Sequence, residues 1–495
     1  MSNKYRRKIH RSKLVLTALL LVVMLLTILG RTPAVAALPA KHYTELEFPP
    51  LPELKLPKYS RFQLDNGIIV YLMEDHELPL ISGRALFRTG SRFEPAAQVG
   101  LANLTGTVMR TGGTKQHSPE EINQLLEQKA AAVETGIDDT AGGTRFSCLT
   151  EDLEEVFGVF VEVIREPVFA EQKLELAKQQ WRGAIARRND DPESIASREF
   201  QKLIYGKNSP YARTAEYETL KNISQEDVES FYEQYFHPEN MILGLVGDFE
   251  TKQMRSLITD KFGDWQPSRE AVIPSLPPVS QAENSGIFFV EQPQLTQSYV
   301  QMGHLGGKLD NPDYTALSVM NGVLNGMGGR LFNNIRSRQG LAYSVSAYWS
   351  PNYDYPGVFI ASGETRSDAT VPFIQSINEE IERIRTQPIT KAELTHAKDS
   401  SLNSFIFNFQ DPAQTLSRLM RYEYYNYPED FIFRYRQELE DTTVEDVQRV
   451  AQKYLQPEQM VTLVVGNQEA IQPPLSSLGN DLKITSIDIT IPEPS

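Results

Sequence analysis

A single cysteine, Cys148, serves the whole 495-residue chain, so no internal disulfide can form and no cysteine-ligated zinc site is possible. In the run RFSCLTEDLEEVF it reads as a small hydrophobe packed inside, not as a nucleophile. Histidine is nearly as scarce. His10, His42, His76, His117, His237, His304 and His396 never fall within five residues of each other, so no H-x-x-x-H or H-x-x-E-H pair exists. His76-Glu77 leads straight into Leu78-Pro79-Leu80, which cannot continue a helical metal motif. A G-x-S-x-G elbow and a P-loop are also missing. Excess positive charge is lacking too: 49 Lys and Arg stand against 64 Asp and Glu, a net charge of −15. That sign argues against nucleic acid or an anionic membrane surface as a partner.

Long apolar runs are confined to one place. Six basic residues and no acid fill the first thirteen positions, an apolar stretch spans residues 14–30, and Ala34-Val35-Ala36 follows. This is the layout of a secretory signal peptide over residues 1–36, or of an N-terminal anchor if it is retained. Either form exports the rest of the chain to the periplasm or an equivalent space, with membrane contact only through such an anchor. Cleavage would remove seven basic residues and no acid, taking the formal charge from −15 to −22.

What is present is a duplication. SQEDVESFYEQYFHPENMILGLVG at 224–247 returns as TVEDVQRVAQKYLQPEQMVTLVVG at 443–466, with Asp227, Tyr235, Pro238 and Gly247 recurring 219 residues on. Asp191-Pro192 and Ser197-Arg198 recur as Asp411-Pro412 and Ser417-Arg418, 220 residues on. So long a period means doubled domains and not a solenoid. The stretch 267–286, rich in Pro and Ser, reads as the linker. The first copy occupies residues 41–266, the second 287–475, and a C-terminal tail 476–495. Ser118-Pro119-Glu120-Glu121 is a capping box, and Ser224 and Thr443 are N-caps with an acid three residues later. Strands and helices mix without strict alternation, so the fold class is α+β.

Several runs together resemble peptidase family M16, the pitrilysin, insulinase and mitochondrial processing peptidase group. They are GLA at 100–102 with TGGT at 111–114, DLEEVF at 152–157, the P-x-F-x-E-x-x-L run from Pro167, Asp190-Asp191-Pro192, and LVGDF at 245–249. The resemblance covers nearly all of the chain after residue 60. It implies two tandem homologous α+β domains and a chamber that admits unfolded polypeptides. In its active members the helix after Gly-Leu-Ala carries H-x-x-E-H, whose imidazoles hold zinc while the Glu acts as base. Here Asn103 and Thr107 stand at the histidine positions, Gly106 at the base, and Ala184 at the distal Glu ligand. This chain is therefore expected to bind no metal and to be inactive alone.

The second copy keeps a different signal. In NGMGGRLFNNIRSRQGLAYSVSAYW, residues 325–349, NGMGG reads as a turn, a short helix follows, and a strand alternates through Tyr343, Val345, Ala347 and Trp349. By the resemblance, Arg336 and Tyr343 match the pair that engages substrate, donating to a peptide carbonyl and to the oxyanion formed on it. Arg338 is the rival donor, and Arg330 reads as structural. The implied role is the non-catalytic, substrate-binding subunit of an exported peptidase. Its expected partner is an H-x-x-E-H subunit that supplies the zinc, in a heterodimer acting on unfolded peptides. The alternative is a polypeptide-binding scaffold with no peptidase partner.

Overall fold

The structure, a computed structural model, describes residues 56–268, 275–479 and 483–493. The proposed signal peptide or anchor lies outside these residues. Among the described residues no helix is long and apolar enough to cross a membrane.

The first half contributes strands β1 (Ser60–Gln63), β2 (Ile69–Glu74), β3 (Leu80–Phe87), β4 (Ala132–Ile137), β5 (Gly142–Leu149) and β6 (Met241–Gly247). The second contributes β7 (Gly286–Glu291), β8 (Gln297–Leu305), β9 (Ala342–Ser350), β10 (Val358–Arg366), β11 (Val461–Gly466) and β12 (Ile484–Ser486). One sheet has the order β1-β2-β6-β3-β5-β4 and the other β12-β7-β11-β8-β10-β9. Five strands correspond. β2 pairs in parallel with β6 as β7 does with β11, and the remaining shared neighbours are antiparallel. The repeat read from sequence is thus a repeat of topology, and both halves are α+β. The sixth strands differ, since β1 joins its sheet antiparallel and β12 joins in parallel. Within residues 476–495, read as a tail, the three residues of β12 therefore extend the second sheet.

The local signals act as their chemistry requires. Ser118 and Glu121, Ser224 and Asp227, and Thr443 and Asp446 each form a reciprocal capping box, satisfying helix N–H groups that have no partner within the helix. β6 and β11, apolar at nearly every position, are buried on both faces in mid-sheet. Cys148 is buried on β5, and burial pushes its thiol up to about 11, which keeps it protonated and unreactive.

One face of each sheet packs on the helices of its own half. The other face is covered across the duplication. Helix α3 (Pro192–Tyr205) belongs to the first half, yet Ile195, Phe200 and Ile204 pack with Phe288, Val290, Val461 and Leu463 of the second sheet. Helix α4 (Pro412–Tyr425) belongs to the second half, yet Leu416, Leu419 and Met420 pack with Tyr71, Met73 and Ile242 of the first. The two Asp-Pro motifs start these exchanged helices. Asp191 accepts from Ser194 N and Asp411 from Ala413 N, each with Pro at the first helical position. The paired arginines close the preceding turns, Arg198 on Arg188 O and Arg418 on Asn408 O. Polar ties cross as well: Arg61 donates to Glu423 at 2.9 Å, and Arg92 pairs with Asp354 at 2.7 Å. Both halves belong to one unit.

Candidate functional site

Helix α1 (Leu101–Thr111) follows Gly100, whose φ of 108° lies in the left-handed region that glycine alone enters cheaply. Ahead of it sits Glu94, only 4 % exposed, whose carboxylate accepts from Gly100 N at 3.0 Å and Ala102 N at 2.9 Å. Those are unpaired donors at the positive end of the helix, where an anion is favoured. Burial nevertheless dominates and pushes the Glu94 carboxyl up to about 7, with the two N–H groups and Arg213 opposing it. Nothing in the sequence singled out this acid, because its partners are backbone atoms.

The structure brings Asn103 and Ala184 together on the wall of a cavity of about 360 Å³, shared with Glu94, Trp181, Arg188 and Arg213. Ala184 comes from helix α2 (Glu171–Ala186), which packs on α1. Thr107, one turn further along α1, donates its hydroxyl back to Asn103 O at 2.9 Å. Gly106 faces the sheet. A Cβ there would stand 2.6 Å from Ile137 N and 2.9 Å from Gly136 C, so α1 lies against the backbone of β4. Thr135 fixes that approach by donating to Gly106 O at 2.5 Å.

A zinc ion does not fit these donors. Asn103 offers one neutral oxygen, Thr107 has committed its proton, and Gly106 and Ala184 offer no side-chain donor. Glu94 already spends both oxygens on backbone N–H groups. Among the described residues no group of three or more His, Cys, Asp or Glu is placed to hold a metal.

The pair in the second half sits on unusual backbone. Residues Phe332–Arg338 form a π-helical turn, with Gln339 N donating to Asn334 O at 3.2 Å. Such wide turns recur where a side chain must be re-aimed. The Arg336 guanidinium lies between two rings, 4.8 Å from the centroid of Phe332 and 4.5 Å from that of Tyr343. Such cation–ring contacts hold the guanidinium without using its N–H donors. Among the described residues neither side chain has a hydrogen bond or ion pair, and Tyr343 is 80 % exposed.

Simple alternation put Tyr343 on one face with Ala347 and Trp349, and the structure corrects this. Ala347 and Trp349 are buried, while β9 bulges between Ala342 and Val345, where Tyr343 and Ser344 together oppose Glu364 of β10, and this turns Tyr343 outward. Arg338 is exposed and its guanidinium donates to Asn334 Oδ1 at 2.6 Å, within its own turn. Arg330 is buried and pairs with Glu393 at 2.6 Å. Burial raises the Glu393 carboxyl, yet Arg330 and Thr390 together bring it down to about 2.

Comparison with known proteins gives one family throughout. Residues 80–214 match the model described as Insulinase (Peptidase family M16), and residues 222–401 match that described as Peptidase M16 inactive domain. A Helicobacter pylori protein named non-peptidase homolog YmxG is 24% identical over 404 residues, covering 80% of this chain and 91% of its own. A Bacillus subtilis protein named uncharacterized zinc protease YmxG is 22% identical over 361 residues, covering 72% and 86%. Among solved structures, a peptidase M16 inactive domain from Pseudomonas fluorescens superposes with a TM-score of 0.75 at 24% identity, covering 84% of this chain and all of its own.

Proposed function

Since this chain belongs to peptidase family M16, and lacks that family's zinc motif, we propose that it is the substrate-binding member of a two-chain peptidase. In this reading a second M16 chain bearing H-x-x-E-H supplies the metal and the base, and the pair cleaves unfolded peptides outside the cytoplasm. The observation that supports it most is the contrast between the two halves. Four positions around α1 have no metal-binding chemistry, whereas Arg336 is oriented by two rings and presents unspent donors beside the exposed Tyr343 hydroxyl. A planar guanidinium and a phenol can both donate to the carbonyl oxygen of a bound peptide, polarising and orienting it.

The test is affinity capture of the tagged chain from its own host, followed by peptide hydrolysis with and without the companion. A companion of similar size bearing H-x-x-E-H, and hydrolysis by the pair only, is the expected result. Arg336→Ala should then lower kcat by about a hundredfold while leaving assembly intact, in the range for loss of one preorganised donor. Capture of the chain alone, with full function in Arg336→Ala, would favour a scaffold that binds polypeptides.

A further inference from the structure

The exchanged helix α4 covers only part of its sheet. It seals β2, β6 and the near side of β3, and leaves the face of β3, β5 and β4 open to a cavity of about 540 Å³ between the halves. Three guanidiniums line that cavity: Arg84 on β3, Arg145 on β5 and Arg421 on α4. Arg84 and Arg145 are direct register partners across the antiparallel pair, so like charges stand opposite each other. Partial desolvation in the cavity, and then the charge of Arg421, lower the Arg84 guanidinium below its ordinary value.

An arginine cannot relieve such crowding by losing its proton; all three are exposed to solvent, so water and salt screen them and an anion entering the cavity would take over that role. The protein does little. Among the described residues no hydrogen bond or ion pair engages the side chains of Arg84, Arg145 or Arg421, apart from the ring of Tyr353 under Arg421. Glu134 faces Arg145 in the β4 register and Asp138 lies near Arg84, yet neither comes within ion-pair distance. Arg418, in the same cavity, is spent on Asn408.

The duplication provides an internal control. Arg84 opposes Gly244 of β6, and the residue 219 later, Leu463, opposes Gln301 of β8; Arg145 likewise corresponds to Ser362 of β10. On the exchanged helices, the offset of 220 relates Arg421 to Gln201. The structural Arg418 keeps its counterpart Arg198, while all three unpaired arginines face neutral residues in the other copy. The fold therefore does not need these three charges.

We infer that Arg84, Arg145 and Arg421 form a carboxylate-binding subsite that holds acidic segments of a polypeptide in the cavity between the halves. This rests on the substrate-binding reading above and adds a preference to it. The cavity wall also offers Phe146, Leu416 and Tyr353 for the apolar parts of such a segment.

The experiment uses the full chain and two fluorescent unstructured peptides, one rich in Glu and its isostere with Gln at every Glu. At low salt the Glu peptide should bind about tenfold more tightly, in keeping with charge-assisted pairing, and the gap should close as salt rises. Arg84→Gln/Arg145→Ser, which installs the neutral pair of the other half, should abolish the gap, keep the Gln-peptide affinity and leave the thermal midpoint unchanged or raised. Equal binding of the two peptides overturns the subsite but leaves substrate binding standing. No binding of either peptide overturns both. A Glu preference that survives the double variant places the carboxylate elsewhere and overturns the assignment. Displacement of the Glu peptide by inorganic phosphate at far lower concentration than by acetate marks a free-phosphate site and overturns it too.

Discussion

Glu94 is held between two demands, since the start of α1 favours its charge and its burial favours its proton. The second dominates, so the folded carboxyl titrates near 7 against an ordinary value of 4.5. A carboxyl raised by folding binds its proton more tightly in the native state. Its stabilising contribution is complete below about pH 4.5 and is lost as pH rises through about 7. Thermal midpoints measured across that window should fall with pH by the slope of one proton. Glu94→Gln should flatten that slope, because its amide does not titrate. An unchanged slope in the variant would assign the pH dependence to another group. This residue shows where sequence reading stops: Asn103, Gly106, Thr107 and Ala184 were placed by the family resemblance, but Glu94 holds its place through two backbone N–H groups that no pattern reveals.

Elements here are fitted to each other through backbone as much as through side chains. Gly106 lets α1 rest on β4, and a methyl group at that position would meet Ile137 N at 2.6 Å. Gly106→Ala is accordingly expected to destabilise the fold by about 1–3 kcal/mol, seen as a lower midpoint in urea unfolding. A glutamate placed there to rebuild a general base meets the same obstacle at its first carbon. Capping boxes and mid-sheet strands were legible because each depends on residues three or four apart, or on a continuous apolar run. The π-turn at Phe332–Arg338 and the outward swing of Tyr343 were not, the latter because an extra residue within β9 breaks the alternation.

The duplication was legible as a constant offset, yet the offset is silent on which sheet each Asp-Pro helix covers. Both copies of that helix have an apolar face, and either sheet could have accepted it; only the three-dimensional packing shows that they cross. The halves are therefore interdependent. Expressed alone, residues 275–493 would leave Leu416, Leu419 and Met420 exposed and the face around Val461 bare. Each half made separately is expected to aggregate or stay partly unfolded, as judged by near-ultraviolet circular dichroism, whereas co-expressed halves should recover one soluble complex. Two soluble, cooperatively folding halves would show that the crossing helices are dispensable.

The crossing also has a mechanical meaning. Like two hands each gripping the other's wrist, the halves cannot swing apart without both grips failing at once. Any gate through which a long polypeptide is threaded therefore has to open along a seam other than this one. On the two-chain reading proposed above, the chain would move as one jaw, with the hinge at its contact with the second chain.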